Sequence, residues 1–244
     1  MAKLTTYNLK VALYDSDFYA LQALNSYLAW DRRTRVIYST IYLQALLDTL
    51  QRLPQPEKPD VLVMDADHVG GPQALLSLMH RLRRLVDKLT VICLGQTPQA
   101  DLLDAAAEGG ARAFLLKQDV QLQITWAIVY ALENGFTITQ NLLRQAQESF
   151  QSKVRHAVVL PPQRQYPEMT ERVRQAIKLC VIEGMPAHLA ADEMGISLHT
   201  VRGYIKEGYR ILEAYDETQY PNEMTPQERA FMRFTALAIP SEQV

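Results

Sequence analysis

Cysteine is nearly absent: Cys93 and Cys180 are the only two in 244 residues. That excludes a disulfide scaffold and a zinc site built on thiolates. Long apolar runs are also missing. The longest are strand-sized, well short of the roughly 20 residues that cross a bilayer. In the opening segment MAKLTTYNLKVALY no apolar run with a small-residue cleavage site follows Lys3, so it does not read as a secretory signal. The expectation is a cytoplasmic chain with no membrane partner. There is no Gly-rich phosphate loop and no nucleophile elbow, and the histidines at 68, 80, 156, 188 and 199 lack metal-ligand spacing. Nothing here predicts an enzyme. Cys93 in an apolar strand and Cys180 on a helix's apolar face predict packing, not redox chemistry.

A surplus of one charge is missing too, the net charge being −2. Residues 1–152 carry 14 Lys and Arg against 15 Asp and Glu; residues 153–215 carry 9 against 7, and residues 216–244 carry 2 against 5. Any nucleic-acid surface must therefore come from placement within one helix. What is present is ordinary globular composition, 48% apolar and 21% charged. The length suits two domains.

The first 135 residues alternate between two periods. LKVALY (9–14), TRVIYST (34–40), DVLVMD (60–65), LTVICLG (89–95) and ARAFLLK (111–117) are short and apolar. Helix-length stretches with apolar residues three and four apart follow each, at about 17–30, 41–53, 72–87, 99–108 and 120–133. Pro72 suits a first helical turn, and Gly109–Gly110 a turn into the fifth strand. Five strand–helix units predict a parallel sheet covered on both faces. In such a sheet functional groups gather beyond the C-terminal strand ends. Asp15 (with Asp17) follows the first strand, Asp65 (with Asp67) closes the third, and Lys117 ends the fifth. Carboxylates from adjacent strands can share a divalent cation, and a nearby lysine can neutralise a phosphoryl group. Asp is also common in such loops as a helix cap, which accounts for any one of these residues but less readily for all three.

On these residues the segment 9–135 resembles a response-regulator receiver domain of the CheY-type fold, through VALYDSDF, PDVLVMDAD and GARAFLLKQD. The resemblance implies an α/β flavodoxin-like unit with a five-stranded parallel sheet of order 2-1-3-4-5. It makes Asp65 the phosphoacceptor, Asp15 and Asp65 the acids of a Mg²⁺ site, Lys117 the phosphate partner and Phe114 the aromatic switch. The departures are equally specific. Ser16 stands where the family has a second acid, Gly95 where it has Ser or Thr, and His68-Val69 where it has Met-Pro. Losing a carboxylate weakens a magnesium site with few protein ligands, and glycine cannot bond a phosphoryl oxygen. These departures predict a receiver that does not work as a conventional phosphorylation switch.

ENGFTITQNLLRQAQ (133–147) reads as a turn and amphipathic helix, and Pro161, Pro162 and Pro167 mark a linker. Together 136–168 form the expected connector between a 1–135 receiver and a 169–215 helical domain. In that domain a first helix, about 170–183, should bury Val173, Ile177, Cys180 and Val181. Pro186 opens a second, about 187–194, with Leu189, Ala190 and Met194 inward. Gly195 permits a tight turn, and Ser197 caps a third helix over about 198–213. Two helices on a short Gly turn make an all-α helix-turn-helix. Along the third helix Val201, Ile205, Tyr209 and Leu212 should face the core. Arg202, Lys206 and Arg210 form a cationic ridge, with His199, Thr200 and Gly203 near its tip. Such a helix enters the major groove by its N-terminal half, where Arg202 is the best guanine reader, Lys206 reaches base or phosphate, and Arg210 phosphate.

EGMPAHLAADEMGISLHTVRGYI is similar to the LuxR/NarL-type helix-turn-helix. Gly203 and Gly208 depart from it, and each should weaken the helix. Beyond it the extension 216–244 contains TPQERAFMRFTALAI, whose Thr225, Pro226 and Glu228 read as a capping box. Its apolar face packs either on its own domain or on a second copy. The function implied is a dimeric DNA-binding transcription regulator, phosphorylation-independent, acting on double-stranded DNA, with a sensor kinase or RNA polymerase as further partner. The dimer face is placed on the fourth and fifth helices, around Leu102, Trp126 and Tyr130. The alternatives are conventional activation through Asp65, a sigma-like polymerase-associated module, or a protein-interaction adaptor.

Overall fold

The computed structural model describes residues 7–216, 218, 220, 221 and 223–238. Residues 1–6 of the expected receiver segment and 239–244 of the extension lie outside them. The chain divides into two compact units, 7–161 and 162–238 among the described residues.

In the first unit β1 (Leu9–Tyr14), β2 (Thr34–Thr40), β3 (Val61–Asp65), β4 (Thr90–Gly95) and β5 (Ala113–Leu116) alternate with α1 (Phe18–Ala29), α2 (Leu43–Arg52), α3 (Pro72–Leu85) and α4 (Ala100–Glu108). All pairings are parallel. Strands covered on both faces need no alternation, and every residue of VLVMD in β3 and AFLL in β5 is buried. The last helix is broken. α5 (Lys117–Val120) stops at Gln121, whose φ of +40° interrupts the helix, and α6 (Ile124–Glu133) resumes after a 3-10 turn.

The sheet has seven strands, not the five expected, in the order β2-β1-β3-β4-β5-β6-β7. β6 (Thr137–Ile138) and β7 (Val158–Val159) come from the segment read as connector. They enclose α7 (Leu143–Glu148) and α8 (Ser152–Arg155), and Phe136, Ile138, Leu142, Ala146 and Val154 join the core beneath β5. Lys153 fastens this extension by donating to Ala107 O (3.2 Å) in the last turn of α4 and to Ala111 O (3.1 Å) beyond it, where a cation is favoured at the helix C-terminus. Of the three residues placed on the expected dimer face, Tyr130 is half-buried and the other two are buried. Leu102 is 2% and Trp126 8% exposed, so both are committed to the unit's own packing.

The second unit takes up the rest of the expected linker. Residues 162–169 run beside residues 233–238: Ala238 N donates to Pro162 O (2.7 Å), Arg164 N to Ala236 O (2.8 Å), and the buried Tyr166 hydroxyl to Arg233 O. α9 (Glu171–Ile177) continues into a π-helical turn at Lys178–Ile182. α10 (Ala187–Met194) ends at Gly195, whose φ of +63° closes the helix in the left-handed region that glycine adopts without strain. α11 (Leu198–Ala214) is capped by Ser197, and α12 (Pro226–Phe234) by the Thr225–Glu228 capping box. Ala230, Phe231 and Phe234 are buried, and α12 packs on α11 and the π-helical turn, so its apolar face is covered within its own unit. Among the described residues no helix is long and apolar enough to cross a membrane.

Four inward positions of the expected helical core differ, Cys180 among them being only half-buried. Leu189 is 47% exposed, and Ile205 and Tyr209 are only half-buried; Gly208 and Ile211 complete the stripe of Val201 and Leu212 instead. Gly208 is not a weak point of α11. A Cβ there would stand 2.5 Å from both Cγ1 and Cδ1 of the fully buried Ile177, so the missing side chain is what lets α9 and α11 approach. At Gly203 a Cβ meets nothing within 4 Å. Opposite effects follow from the same substitution. Gly208→Ala is expected to cost about 1–3 kcal/mol through overpacking, whereas Gly203→Ala should add about 0.5–1 kcal/mol. Urea unfolding of the full chain followed by helical circular dichroism checks both, and equal shifts would contradict the packing argument.

Candidate functional site

Tyr14 of β1 pairs with Met64 of β3, so the residues that follow, Asp15 and Asp65, stand side by side at the C-terminal edge of the sheet. Both are fully buried. Lys117, directly after β5, reaches across to them, its Nζ 2.8 Å from Asp15 Oδ2 and 3.8 Å from Asp65 Oδ1. Ser16 Oγ donates to Asp65 Oδ2 at 2.8 Å, and His68 Nδ1 lies 2.7 Å from the same oxygen. The Asp67 amide donates to Asp65 Oδ1 (3.2 Å), and the Asp17 amide to Asp15 Oδ1 (3.0 Å). Asp17 itself caps α1. The two acids are pushed opposite ways. Burial raises the Asp15 carboxyl above its ordinary value, only partly offset by Lys117. Burial acts in the same direction on Asp65, but Ser16, Lys117 and His68 outweigh it and hold that carboxyl below its ordinary value.

One layer deeper, Phe114 is fully buried and leans over Gly95. A Cβ on Gly95 would lie 2.9 Å from Phe114 Cε1 and 3.5 Å from Asp67 Oδ1. From sequence Asp67 reads only as a second acid beside Asp65. Its carboxylate instead binds the next loop, accepting from Gln96 N (2.6 Å) and Gln99 Nε2 (3.2 Å). His68 reads from sequence only as a departure from Met-Pro; its position three residues after Asp65, on a loop turning back over the strand end, is the signal that could have found it.

On α11, His199, Arg202, Gly203 and Lys206 are exposed along one side of the N-terminal half. Thr200 is part of the cap, its amide donating to Ser197 Oγ (3.1 Å) and its hydroxyl 2.8 Å from that oxygen. Arg210 is held by Glu207 through two bonds of 3.0 and 2.7 Å. The positive ridge is thus strongest toward the helix start.

No family model matches this sequence, and no curated protein matches it. Among solved structures it is similar to a variant of the RcsB response regulator of Salmonella typhimurium, with 16% identity and a TM-score of 0.50, over 88% of this chain and 95% of that one. It is similar also to the response regulator RcsB in a complex with DNA, with 16% identity and a TM-score of 0.50, over 92% and 97%. The fold is that of a response regulator.

In this receiver unit the crevice departs from the expected chemistry in its donor set. Magnesium asks for near-octahedral oxygen ligation at about 2.0–2.1 Å. Asp15 already faces an ammonium, one Asp65 oxygen serves Ser16 and His68, and Ser16 contributes a donated hydrogen bond in place of a carboxylate. Among the described residues no group of three or more His, Cys, Asp or Glu side chains is placed to hold a metal ion. Asp15 and Asp65 are the two carboxylates that would hold Mg²⁺; here Lys117 bonds the first, and Ser16 and His68 the second.

Proposed function

We propose that this chain is a DNA-binding transcription regulator whose atypical receiver unit works without phosphorylation, acting as a homodimer on double-stranded DNA. The observation that carries the reading is the exposed row His199, Arg202 and Lys206 on the N-terminal half of α11, on a helix held rigidly by the Gly195 turn, the Ser197 cap and the buried α9 crossing. Recognition helices meet base edges with that half. Likeness to a response regulator solved with DNA supports the same reading. Phosphorylation independence is supported by the Asp65 carboxylate being engaged by Ser16 and His68, and by the absent side chain at Gly95. No enzymatic reaction belongs to this reading. Conventional activation is the second reading, favoured by Lys117 standing within 4 Å of Asp65 as a phosphate partner would.

The test is direct. The full chain is first used to select binding sites from a random duplex library. It is then incubated with Mg²⁺ and acetyl phosphate, followed by intact-mass measurement and gel shift, with Asp65→Ala as control. The expected result is no added phosphate, unchanged DNA affinity, and binding that weakens steeply with salt as counterions are released. An adduct lost in Asp65→Ala, with altered affinity, establishes the second reading. Sedimentation of a monomer at micromolar concentration would count against the dimer.

A further inference from the structure

Asp67 carries the link between β3 and β4 beyond the strand ends, past the Ala66 N to Leu94 O bond (2.8 Å), and into the two loops that follow. Its carboxylate accepts from the Gln96 amide at 2.6 Å and from Gln99 Nε2 at 3.2 Å, across the gap between the β3–α3 and β4–α4 loops. Its own amide is anchored on Asp65 Oδ1, so the clamp starts from the acidic crevice. Beside it Phe114 fills the space that any side chain at position 95 would occupy. A loop offering amide donors toward a crevice is stabilised by an anion. Here the anion belongs to the chain.

We propose that Asp67 is a built-in anion clamp: its carboxylate holds the β4–α4 loop through Gln96 and Gln99 with Phe114 closed over Gly95, keeping the receiver unit in a single state that needs no bound phosphoryl group. A tethered carboxylate carries none of the association cost of a free anion, since its position is set by the backbone. The consequence for DNA rests on the regulator reading above: the clamped state is the one that binds. Asp67 acts by positioning the loop and reacts with nothing. A hydrogen bond to a charged group shifts a local opening equilibrium roughly ten- to a hundredfold.

Amide hydrogen exchange on the full chain, read by mass spectrometry, tests this with Asp67→Ala and Asp67→Asn. Peptides covering 95–100 should exchange about tenfold faster or more in Asp67→Ala. Asp67→Asn, which keeps an acceptor oxygen but no charge, should fall between Asp67→Ala and the unaltered chain. Peptides of β1, β3 and α11 should keep their rates, which separates a freed loop from general unfolding. Unchanged exchange at 95–100 in Asp67→Ala overturns the clamp; unchanged exchange in Asp67→Asn overturns the need for an anion. Gel shift on the selected DNA tests the coupling to DNA separately. Weaker binding by Asp67→Ala supports the coupling of clamp to DNA, and unaltered binding with a freed loop overturns it. If the unaltered chain binds no selected duplex, the regulator reading fails while the exchange result on the clamp still stands.

Discussion

Arg33→Ala is expected to remove about 3–5 kcal/mol of stability from the receiver unit, because it strands a buried carboxylate. The pair sits at the corner between α1 and β2. Arg33 Nε donates to Asp31 Oδ1 at 3.0 Å and Nη2 to Oδ2 at 2.7 Å, with side chains only 4% and 1% exposed. The guanidinium also lies 3.9 Å from the centre of the Trp126 ring, so one residue ties the corner to α6. Replacing both partners by apolar residues, Asp31→Leu with Arg33→Met, leaves no orphaned charge and should recover most of the loss. The measurement is convenient. The two tryptophans, Trp30 and Trp126, both belong to this unit, so fluorescence in urea follows its unfolding alone. A single variant within about 1 kcal/mol of the unaltered chain would show that water reaches the pair and that the cost of burial has been overstated.

What could be read in advance divides along physical lines. β1, β3, β4 and β5 announce themselves because a strand buried on both faces is a continuous apolar run, and Asp15, Asp65 and Lys117 are then placed by the sheet's own geometry. β6 and β7 are two residues each, too short for any period, and are stabilised by Phe136, Leu142 and Val154 packing beneath β5. Prolines at 161, 162 and 167 were legible as the end of regular structure but not as two paths: up to 161 the chain stays with the sheet, and from 162 it pairs with residues 233–238. Glycine carried the least readable information. Gly203 and Gly208 look alike in sequence, yet one faces open space and the other admits Ile177. Likewise Gly95 reads as a missing hydroxyl, whereas the structure shows it as the space for the Phe114 ring. In the crevice the residue types were legible but not their pairings. Whether Asp67 serves a metal or a backbone amide depends on how the β4–α4 loop returns, which no spacing encodes.

On the proposed reading that the second unit binds DNA, its largest expected effect belongs to Arg202. Arg202→Ala should weaken binding to the selected site by about 1–3 kcal/mol, roughly five- to 150-fold, and relax preference at one base pair, as loss of a bidentate guanine contact does. The substitution is on an exposed helix face, and alanine is a stronger helix former than arginine, so stability should not fall with affinity. Lys206→Ala should act differently, lowering affinity for all sequences and reducing the salt slope by about one. Arg210→Ala should matter least of the three. Its guanidinium is already bidentate on Glu207, and a phosphate would have to displace that carboxylate. Glu207→Ala frees Arg210 and removes a like charge from the approaching backbone, so it should tighten non-specific binding while leaving base preference alone. Titrations at several salt concentrations on selected and scrambled duplexes separate these effects. A uniform loss for Arg202→Ala on both duplexes would demote it from reading bases to holding phosphate, and the reading of the groove would then have to come from His199 or Lys206.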